Sequence, residues 1–262
     1  MSEPAVLYDV AEQVATITLN RPDNRNSMTP DLLDGLAAAV AQARTDRQTR
    51  CVIITARGKS FSAGADFKAF GTDERLRALA PTERQYAMYE PFLSVLDLEV
   101  PVIAAMNGHA IGGGLGLALV CDLRVANREA RYGANFVRLG LHPGMATTTL
   151  LPRLIGVPRA VELLLTGRLV DGAEAAAIGL ANYAVAADEV VPRARELARE
   201  IATAAPLAVR WTKRSLYEAA ALDARAVARR EAALQARTMD TDDFREGVAA
   251  LLEKREPRFQ GQ

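Results

Sequence analysis

Residues 100–121 carry no formal charge when the one histidine among them is neutral, and this stretch limits the possible folds more than any other. It is long enough to cross a bilayer. A proline, an asparagine, the histidine and five glycines interrupt it, however, so a continuous membrane helix is not expected. The pattern instead predicts a buried strand over residues 102–106, a glycine-rich turn, and a buried helix that begins near Gly113.

Short apolar strands alternate with amphipathic helices through the first half of the chain. Strands are predicted over residues 14–19, 51–55 and 122–126. A helix is predicted from Thr29 as N-cap, with Pro30 in its first turn, to about Arg44, and another over residues 82–96. This alternation is typical of an α/β fold with a mainly parallel sheet.

After Gly144 nearly every segment has a helical composition. The helical segments are predicted at residues 147–154, 159–165, 173–177, 189–204, 207–222, 224–238 and 244–253. We therefore expect an α/β core over residues 1–200, followed by a helical C-terminal region over residues 201–262.

Composition excludes several classes of protein. The chain has 262 residues, half of them hydrophobic, and its 32 Lys plus Arg balance 32 Asp plus Glu. This balance gives no electrostatic basis for binding nucleic acid or an anionic membrane. Residues 1–9 lack the features of a secretory signal, which favours a cytoplasmic location. Cys51 and Cys121 are predicted to be buried free thiols, and no metal-binding motif occurs.

Two segments are built of small residues that allow close approach of the backbone to a ligand. Residues 61–66 follow a predicted strand, and residues 107–114 lead into a predicted helix whose first N–H groups lack intrahelical partners. If both segments met at one oxygen, their amides would form an oxyanion hole. The alternative is that these glycines only let a helix pack closely against a sheet, and spacing alone does not separate the two hypotheses.

The ordered motifs resemble those of the crotonase superfamily of enoyl-CoA hydratases and isomerases, and the match covers nearly the whole chain. The motifs are ITLNRP at 17–22, FSAGAD at 61–66, PVIAAMNG at 101–108, GGG at 112–114 and CD at 121–122, followed by Tyr132-Gly133, Pro143-Gly144 and a basic C-terminal end. The resemblance implies a spiral of ββα units with a helical C-terminal trimerisation region. It also implies a homotrimer or a hexamer made of two trimers.

The resemblance further implies an acyl-CoA thioester as substrate, with coenzyme A as part of that substrate and no separate cofactor. The backbone N–H groups of Ala65 and Gly113 would hold the thioester carbonyl. The full set of implied substrate-binding residues is Arg25, Ala63, Ala65, Asp66, Phe67, Lys68, Gly113, Phe136, Lys254 and Phe259, the last two from the same or a neighbouring subunit. For Lys68, the alternative interpretation is a solvated lysine at a helix start.

The sequence departs from the family at the two positions that carry the catalytic glutamates of hydratases. Those glutamates hold a water and move its proton, and here Gly116 and Phe136 occupy their places. Since neither residue can exchange a proton, ordinary 2-enoyl-CoA hydration is doubtful. His142, on the following loop, is the best remaining candidate for a base, whereas His109 is predicted to have a structural role in its turn.

Other groups could supply an acid from the variable segment that often covers the acyl pocket in this family: Glu74, Glu83, Tyr86, Tyr89 and Glu90. Three hypotheses follow. In the first, the chain is an acyl-CoA enzyme with a non-standard base, which carries out hydration, isomerisation, thioester hydrolysis, decarboxylation or carbon–carbon cleavage through an enolate or a tetrahedral intermediate; the last three would make it a thioesterase, decarboxylase or lyase that uses His142. Alternatively it is a non-catalytic acyl-CoA-binding protein, or a structural subunit.

Overall fold

A computed structural model describes residues 3–66, 74–218 and 224–262. The strands are β1 (Val6–Ala11), β2 (Val14–Leu19), β3 (Cys51–Ala56), β4 (Ser60–Ser62), β5 (Val102–Met106), β6 (His109–Ile111), β7 (Leu123–Asn127), β8 (Arg131–Gly133), β9 (Val170–Asp171) and β10 (Tyr183–Val185). The helices are α1 (Pro30–Thr45), α2 (Glu74–Arg77), α3 (Pro81–Leu93), α4 (Gly113–Leu119), α5 (Thr147–Ile155), α6 (Val157–Thr166), α7 (Gly172–Ala177), α8 (Val190–Ala202), α9 (Pro206–Glu218), α10 (Ala224–Met239) and α11 (Asp242–Glu253). Short 3₁₀ helices lie at Pro22–Asn24, Ser94–Asp97 and Phe136–Leu139.

The strands form two sheets. The larger sheet has the order β1-β2-β3-β5-β7-β10, in which only β1 and β2 pair antiparallel. The smaller sheet has the order β4-β6-β8-β9, with β4, β6 and β8 parallel. Each consecutive pair, β3 with β4, β5 with β6 and β7 with β8, contributes its first strand to the larger sheet and its second to the smaller one. Helices follow each pair, so the predicted spiral of ββα units is confirmed.

Both faces of the larger sheet are buried. Alternate residues of its central strands pack into two different hydrophobic clusters. Val52 and Ile54 of β3 belong to the main core, whereas Cys51 and Ile53 face a second cluster. Helix α8 covers that second cluster with buried residues four positions apart, Val190, Ala194, Ala198 and Ala202. Burial of both faces explains why these strands are continuous apolar runs.

Helix α9 is fastened to the core by a half-buried polar cluster. The Lys213 ammonium lies 2.8 Å from Asp122 Oδ2 and donates to the Val100 carbonyl, and the Tyr217 hydroxyl donates to Asp122 Oδ1 over 2.7 Å. Two cavities of about 460 and 400 Å³ flank this helix. The predicted boundary at residue 200 falls inside α8, and the division into core and C-terminal region stays a prediction, as does the role in trimerisation.

Several predicted features are confirmed and some short elements were missed. The strand at residues 102–106 and the helix from Gly113 lie where they were predicted. Strands β1, β4, β6, β8, β9 and β10 were not predicted; β6 lies inside the predicted glycine turn. Both cysteines are buried free thiols, and burial raises the pKa of each to about 12. Within the described ranges, no helix has both the length and the apolar character needed to cross a bilayer.

Candidate active site

A buried asparagine holds the loop between β2 and α1 against strand β4. The Asn26 side-chain amide donates to the carbonyls of Arg57 and Ser60 over 2.9 and 2.8 Å. Its Oδ1 accepts from the Arg21 backbone N–H at 2.7 Å. Asn26 is not among the residues predicted from the sequence, where the turn-forming residues before it are the only signal. Because all of these bonds are buried or partly buried, the position of the loop is well defined.

This loop in turn holds the small-residue segment that follows β4. The Ser62 hydroxyl donates to the Asn26 carbonyl at 2.8 Å, and the Ala63 N–H donates to the Arg25 carbonyl at 3.0 Å. The Met28 N–H donates to the Gly64 carbonyl at 2.8 Å. Arg25 therefore lies beside Ala63, with its own side chain exposed. The structure brings these two predicted substrate-binding residues together.

The two small-residue segments meet at Gly64 and Gly113. Gly64 has a φ of +84°, and a Cβ at this position would lie 2.7 Å from the Ile111 carbonyl oxygen and 3.0 Å from the Gly113 nitrogen. Only a residue without a Cβ permits this approach. The prediction that residues 61–66 and 107–114 come together is thus supported by direct backbone contact.

The amides of Ala65 and Gly113 have no protein acceptor among the described residues. Gly113 is the first residue of α4, where an N–H group has no intrahelical partner. The preceding amide, that of Gly112, is used differently, because it donates to the Gly133 carbonyl at 2.8 Å. Two neighbouring segments therefore each offer one unpaired N–H donor, which is what binding of a single oxygen requires.

Position 136 lies beside this turn. A Cβ built on Gly112 would lie 3.9 Å from Phe136 Cζ and 3.7 Å from Asn135 Oδ1. Phe136 is half-buried and packs on the main core. The ring thus lies next to the Gly112–Gly113 turn and gives it an apolar neighbour. Asn135 was not singled out from the sequence, and its amide is the polar group beside the same turn.

The Met145 side chain occupies the space beside position 116. Every residue of α4 is buried, and a Cβ on Gly116 would lie 2.6 Å from Met145 Cβ and 3.0 Å from Met145 Cγ. Met145 is 1% exposed and has a φ of +58°, a backbone conformation that is unfavourable for a residue with a Cβ. Its side chain occupies the room that a side chain at position 116 would need.

The two histidines differ in their bonding. The exposed His142 has Nδ1 2.7 Å from the Pro143 carbonyl oxygen. Because a carbonyl can only accept, this bond places the proton on Nδ1 and leaves Nε2 as the acceptor of a neutral ring. His109 instead accepts the Arg131 N–H at Nδ1 over 2.9 Å and so supports the β6–β8 connection, in agreement with its predicted structural role.

The acid candidates of the variable segment differ in the exposure of their side chains. Glu74, Glu83, Tyr86 and Glu90 are exposed, and the neighbouring Glu90 carboxylate raises the pKa of Tyr86. Tyr89 is half-buried against the main core, and burial raises the pKa of its hydroxyl.

The remaining predicted binding residues lie elsewhere or outside the described ranges. Asp66 is half-buried, and Phe67 and Lys68 lie outside the described residues. Lys254 is the exposed C-cap of α11.

The Phe259 ring lies near Gly247, and the Phe259 backbone carbonyl accepts from the Arg50 guanidinium at 2.6 Å. Arg50 precedes β3, whereas the Ala65 segment follows its far end, so one subunit does not bring Phe259 to that segment. Its contribution from a neighbouring subunit stays a prediction.

Comparisons with known proteins agree with this geometry. The family model of enoyl-CoA hydratases/isomerases matches residues 9–262. The mitochondrial enoyl-CoA hydratase domain-containing protein 2 of Bos taurus is 42% identical over 259 residues, 95% of this chain and 85% of that protein. The (E)-benzylidenesuccinyl-CoA hydratase of Thauera aromatica is 36% identical over 261 residues, 98% of this chain and 99% of that protein.

A solved structure extends the agreement to the fold. The crystal structure of an enoyl-CoA hydratase from Bacillus anthracis has a TM-score of 0.92 and 35% identity to this chain, covering 98% of it and 100% of the other chain. The resemblance seen in the motifs is therefore confirmed over the full length of the fold. The chain belongs to the enoyl-CoA hydratase/isomerase family of the crotonase superfamily.

Proposed function

We propose that this protein binds an acyl-CoA thioester with its carbonyl oxygen between the backbone N–H groups of Ala65 and Gly113. The observation that carries the proposal is the close approach of Gly64 to Gly113, which leaves no room for a Cβ at position 64, together with the amides of Ala65 and Gly113, which have no acceptor among the described residues. One such donor typically contributes about 3 kcal/mol to stabilising a developing oxyanion. The protein would use this stabilisation for a thioester enolate or a tetrahedral intermediate.

The reaction we propose is not ordinary hydration of a simple 2-enoyl-CoA. Met145 fills the space beside Gly116, and Phe136 is an aromatic ring, so neither usual position offers a group that could activate water. General acid–base groups typically contribute about 100-fold to 10,000-fold each. We propose His142 as the base, acting through Nε2, in isomerisation, thioester hydrolysis, decarboxylation or carbon–carbon cleavage.

A second candidate function is acyl-CoA binding without turnover. It is favoured by the apolar groups at and beside these two positions, since Phe136 and the Met145 side chain next to Gly116 can line an acyl pocket without any proton chemistry. In both cases we propose a homotrimer or hexamer, in which Lys254 and Phe259 of one subunit reach the CoA of another.

The test uses mass spectrometry of the purified protein with a panel of enoyl-, 3-hydroxyacyl- and malonyl-type CoA thioesters. It is repeated with Gly113→Pro and Gly113→Ala. Both variants place a Cβ against the Met28 sulfur, 2.5 Å away, but only proline removes the N–H donor, and proline is accepted in the first helical turn. We expect Gly113→Pro to be at least about 100-fold slower than Gly113→Ala on the thioester that reacts.

The outcomes separate the candidates. Binding with no product from any thioester would favour the non-catalytic function. Equal activity of the proline and alanine variants would contradict the assignment of Gly113, and absence of thioester binding would contradict the proposed function as a whole.

A further inference from the structure

Asn135 follows strand β8 just as Gly113 follows strand β6. The two strands run parallel, and Ile111 of β6 pairs with Gly133 of β8. Two residues beyond this pair, the chain reaches Gly113 at the start of α4 and Asn135 at the start of the Phe136–Leu139 helix. Since paired strands are about 4.8 Å apart, the segments that leave their ends begin close together. The strand register therefore places Asn135 beside the residue that carries one of the two unpaired amides.

The Asn135 side chain lies against the turn that contains this amide. A Cβ built on Gly112 would lie 3.7 Å from Asn135 Oδ1, and Gly112 is bonded to Gly113. The turn is held in place because the Gly112 N–H donates to the Gly133 carbonyl at 2.8 Å. Asn135 is held on its other side, where its backbone carbonyl accepts from the Arg138 N–H at 3.1 Å. The absence of a Cβ at Gly112 thus leaves open the space between the turn and the Asn135 amide.

The Asn135 amide is available to a ligand. It makes no hydrogen bond within the part of the chain that the structure describes, and it does not cap the Phe136–Leu139 helix that it precedes. The residue is half-buried, and its amide remains accessible to solvent. Ala134 and Phe136 on either side of it pack on the main core. Because apolar groups replace part of the surrounding water, a hydrogen bond at this point is stronger than in bulk water.

We propose that the Asn135 side-chain amide is a third hydrogen-bond donor to the thioester carbonyl oxygen, beside the N–H groups of Ala65 and Gly113. The inference rests on the proposed function, which assigns the first two donors. Rotation of the side-chain amide turns its nitrogen toward the ligand, and an asparagine amide is one of the side-chain groups that can stabilise an oxyanion. As a neutral group, Asn135 stabilises charge on the oxygen without exchanging a proton, and therefore acts alongside a separate base.

The test compares a thioester with a thioether of nearly the same shape. Acetyl-CoA has the carbonyl oxygen and S-ethyl-CoA lacks it, so the ratio of their dissociation constants reports on the donors to that oxygen. Calorimetry measures both constants for the wild type, Asn135→Asp and Asn135→Ala. We expect the wild type to bind acetyl-CoA more tightly, and both substitutions to lower this preference by about fivefold. Aspartate keeps the shape of asparagine, but at neutral pH it has no N–H and repels a partly negative oxygen.

Two comparisons exclude a structural effect. Asparagine and aspartate are about equally favourable at a helix N-cap, so a residue that only began the Phe136–Leu139 helix would keep the wild-type preference in Asn135→Asp. Asn182→Asp is the matched control, because it adds the same charge at a residue whose Oδ1 accepts from the Arg124 N–H at 2.9 Å. This control should leave the preference for acetyl-CoA unchanged.

The outcomes separate this inference from the proposed function. If the wild type prefers acetyl-CoA and Asn135→Asp keeps that preference, Asn135 is not a donor and the proposed function stands. If the wild type binds both ligands equally well, or binds neither, the proposed function is wrong and this inference with it. An equal loss of preference in Asn182→Asp would show a general effect of charge and would count against Asn135.

Discussion

Gly116 and Met145 cannot both carry side chains in the present backbone, because a Cβ on Gly116 would lie only 2.6 Å from Met145 Cβ. The two residues are far apart in sequence, and their contact closes the position from which a hydratase would present its first glutamate. Met145 packs against α4 in the space that a glutamate at position 116 would need. Restoring that acid therefore requires a change at Met145 as well as at Gly116.

Restoring the two carboxylates alone should therefore fail. We expect Gly116→Glu with Phe136→Glu to lower the free energy of unfolding by about 1 to 3 kcal/mol through overpacking, and to leave crotonyl-CoA hydration at the wild-type level. Adding Met145→Gly removes the colliding Cβ and also suits the positive φ at that residue. The triple variant should hydrate at least about 100-fold faster than the double variant, measured as loss of crotonyl-CoA, with Met145→Gly alone as control. A double variant that hydrates as fast as the triple one would show that Met145 does not block the site.

Gly64 should be needed for more than its backbone conformation. Gly64→Ala and Gly140→Ala both place a Cβ at a positive φ, which costs roughly 1 to 2 kcal/mol of stability. At Gly140 nothing lies within 4 Å of that Cβ, whereas at Gly64 it meets Ile111 and Gly113. We expect only Gly64→Ala to reduce turnover, by about 100-fold, because it pushes the two amides apart. If Gly64→Ala and Gly140→Ala turned over the thioester at similar rates and unfolded at similar urea concentrations, this result would argue against the oxyanion hole.

His142→Ala should lower turnover of the reacting thioester by about 100-fold and leave its dissociation constant unchanged, since a base acts in the chemical step. The control is His109→Ala, because His109 serves the Arg131 backbone and should not affect the chemistry. Steady-state kinetics and calorimetry on both variants give the comparison. Unchanged turnover in His142→Ala would mean that another group is the base.

Assembly should depend on apolar residues of the C-terminal helices. Leu216, Leu251 and Leu252 are 70%, 78% and 77% exposed in the single subunit. The apolar pattern of these helices predicts Leu207, Val209, Leu222, Val227 and Leu234 in the interface together with Leu216. Leu207, Val209 and Leu234 are half-buried, and Leu222 and the Val227 side chain lie outside the described parts. Light scattering at micromolar concentration should show a trimer or hexamer, and Leu216→Asp should yield monomers with little change in subunit stability. A monomeric wild type would contradict this prediction. It would also contradict the proposal that Lys254 and Phe259 of one subunit reach the CoA bound to another.

Local patterns were sufficient for the longer elements. The strand over residues 102–106 is an uninterrupted apolar run between Pro101 and Asn107, and helix α1 has its proline in the first turn and a regular apolar face. The three-residue strands β4, β6 and β8 show no period that a sequence pattern could reveal. Their partners, such as His109 for Ser60 and Tyr132 for Ala110, lie far along the chain.

The sequence by itself determined the family, the two segments that carry unpaired amides, and the absence of glutamates at Gly116 and Phe136. These are matters of residue type and spacing, which are local. Only the tertiary structure decided that Gly64 approaches Gly113 too closely to carry a Cβ, that Met145 closes position 116, and that Tyr89 alone among the five acid candidates is half-buried. The physical reason is that each of these contacts joins segments distant in sequence, so it depends on the path of the whole chain and on backbone conformations that residue type does not specify.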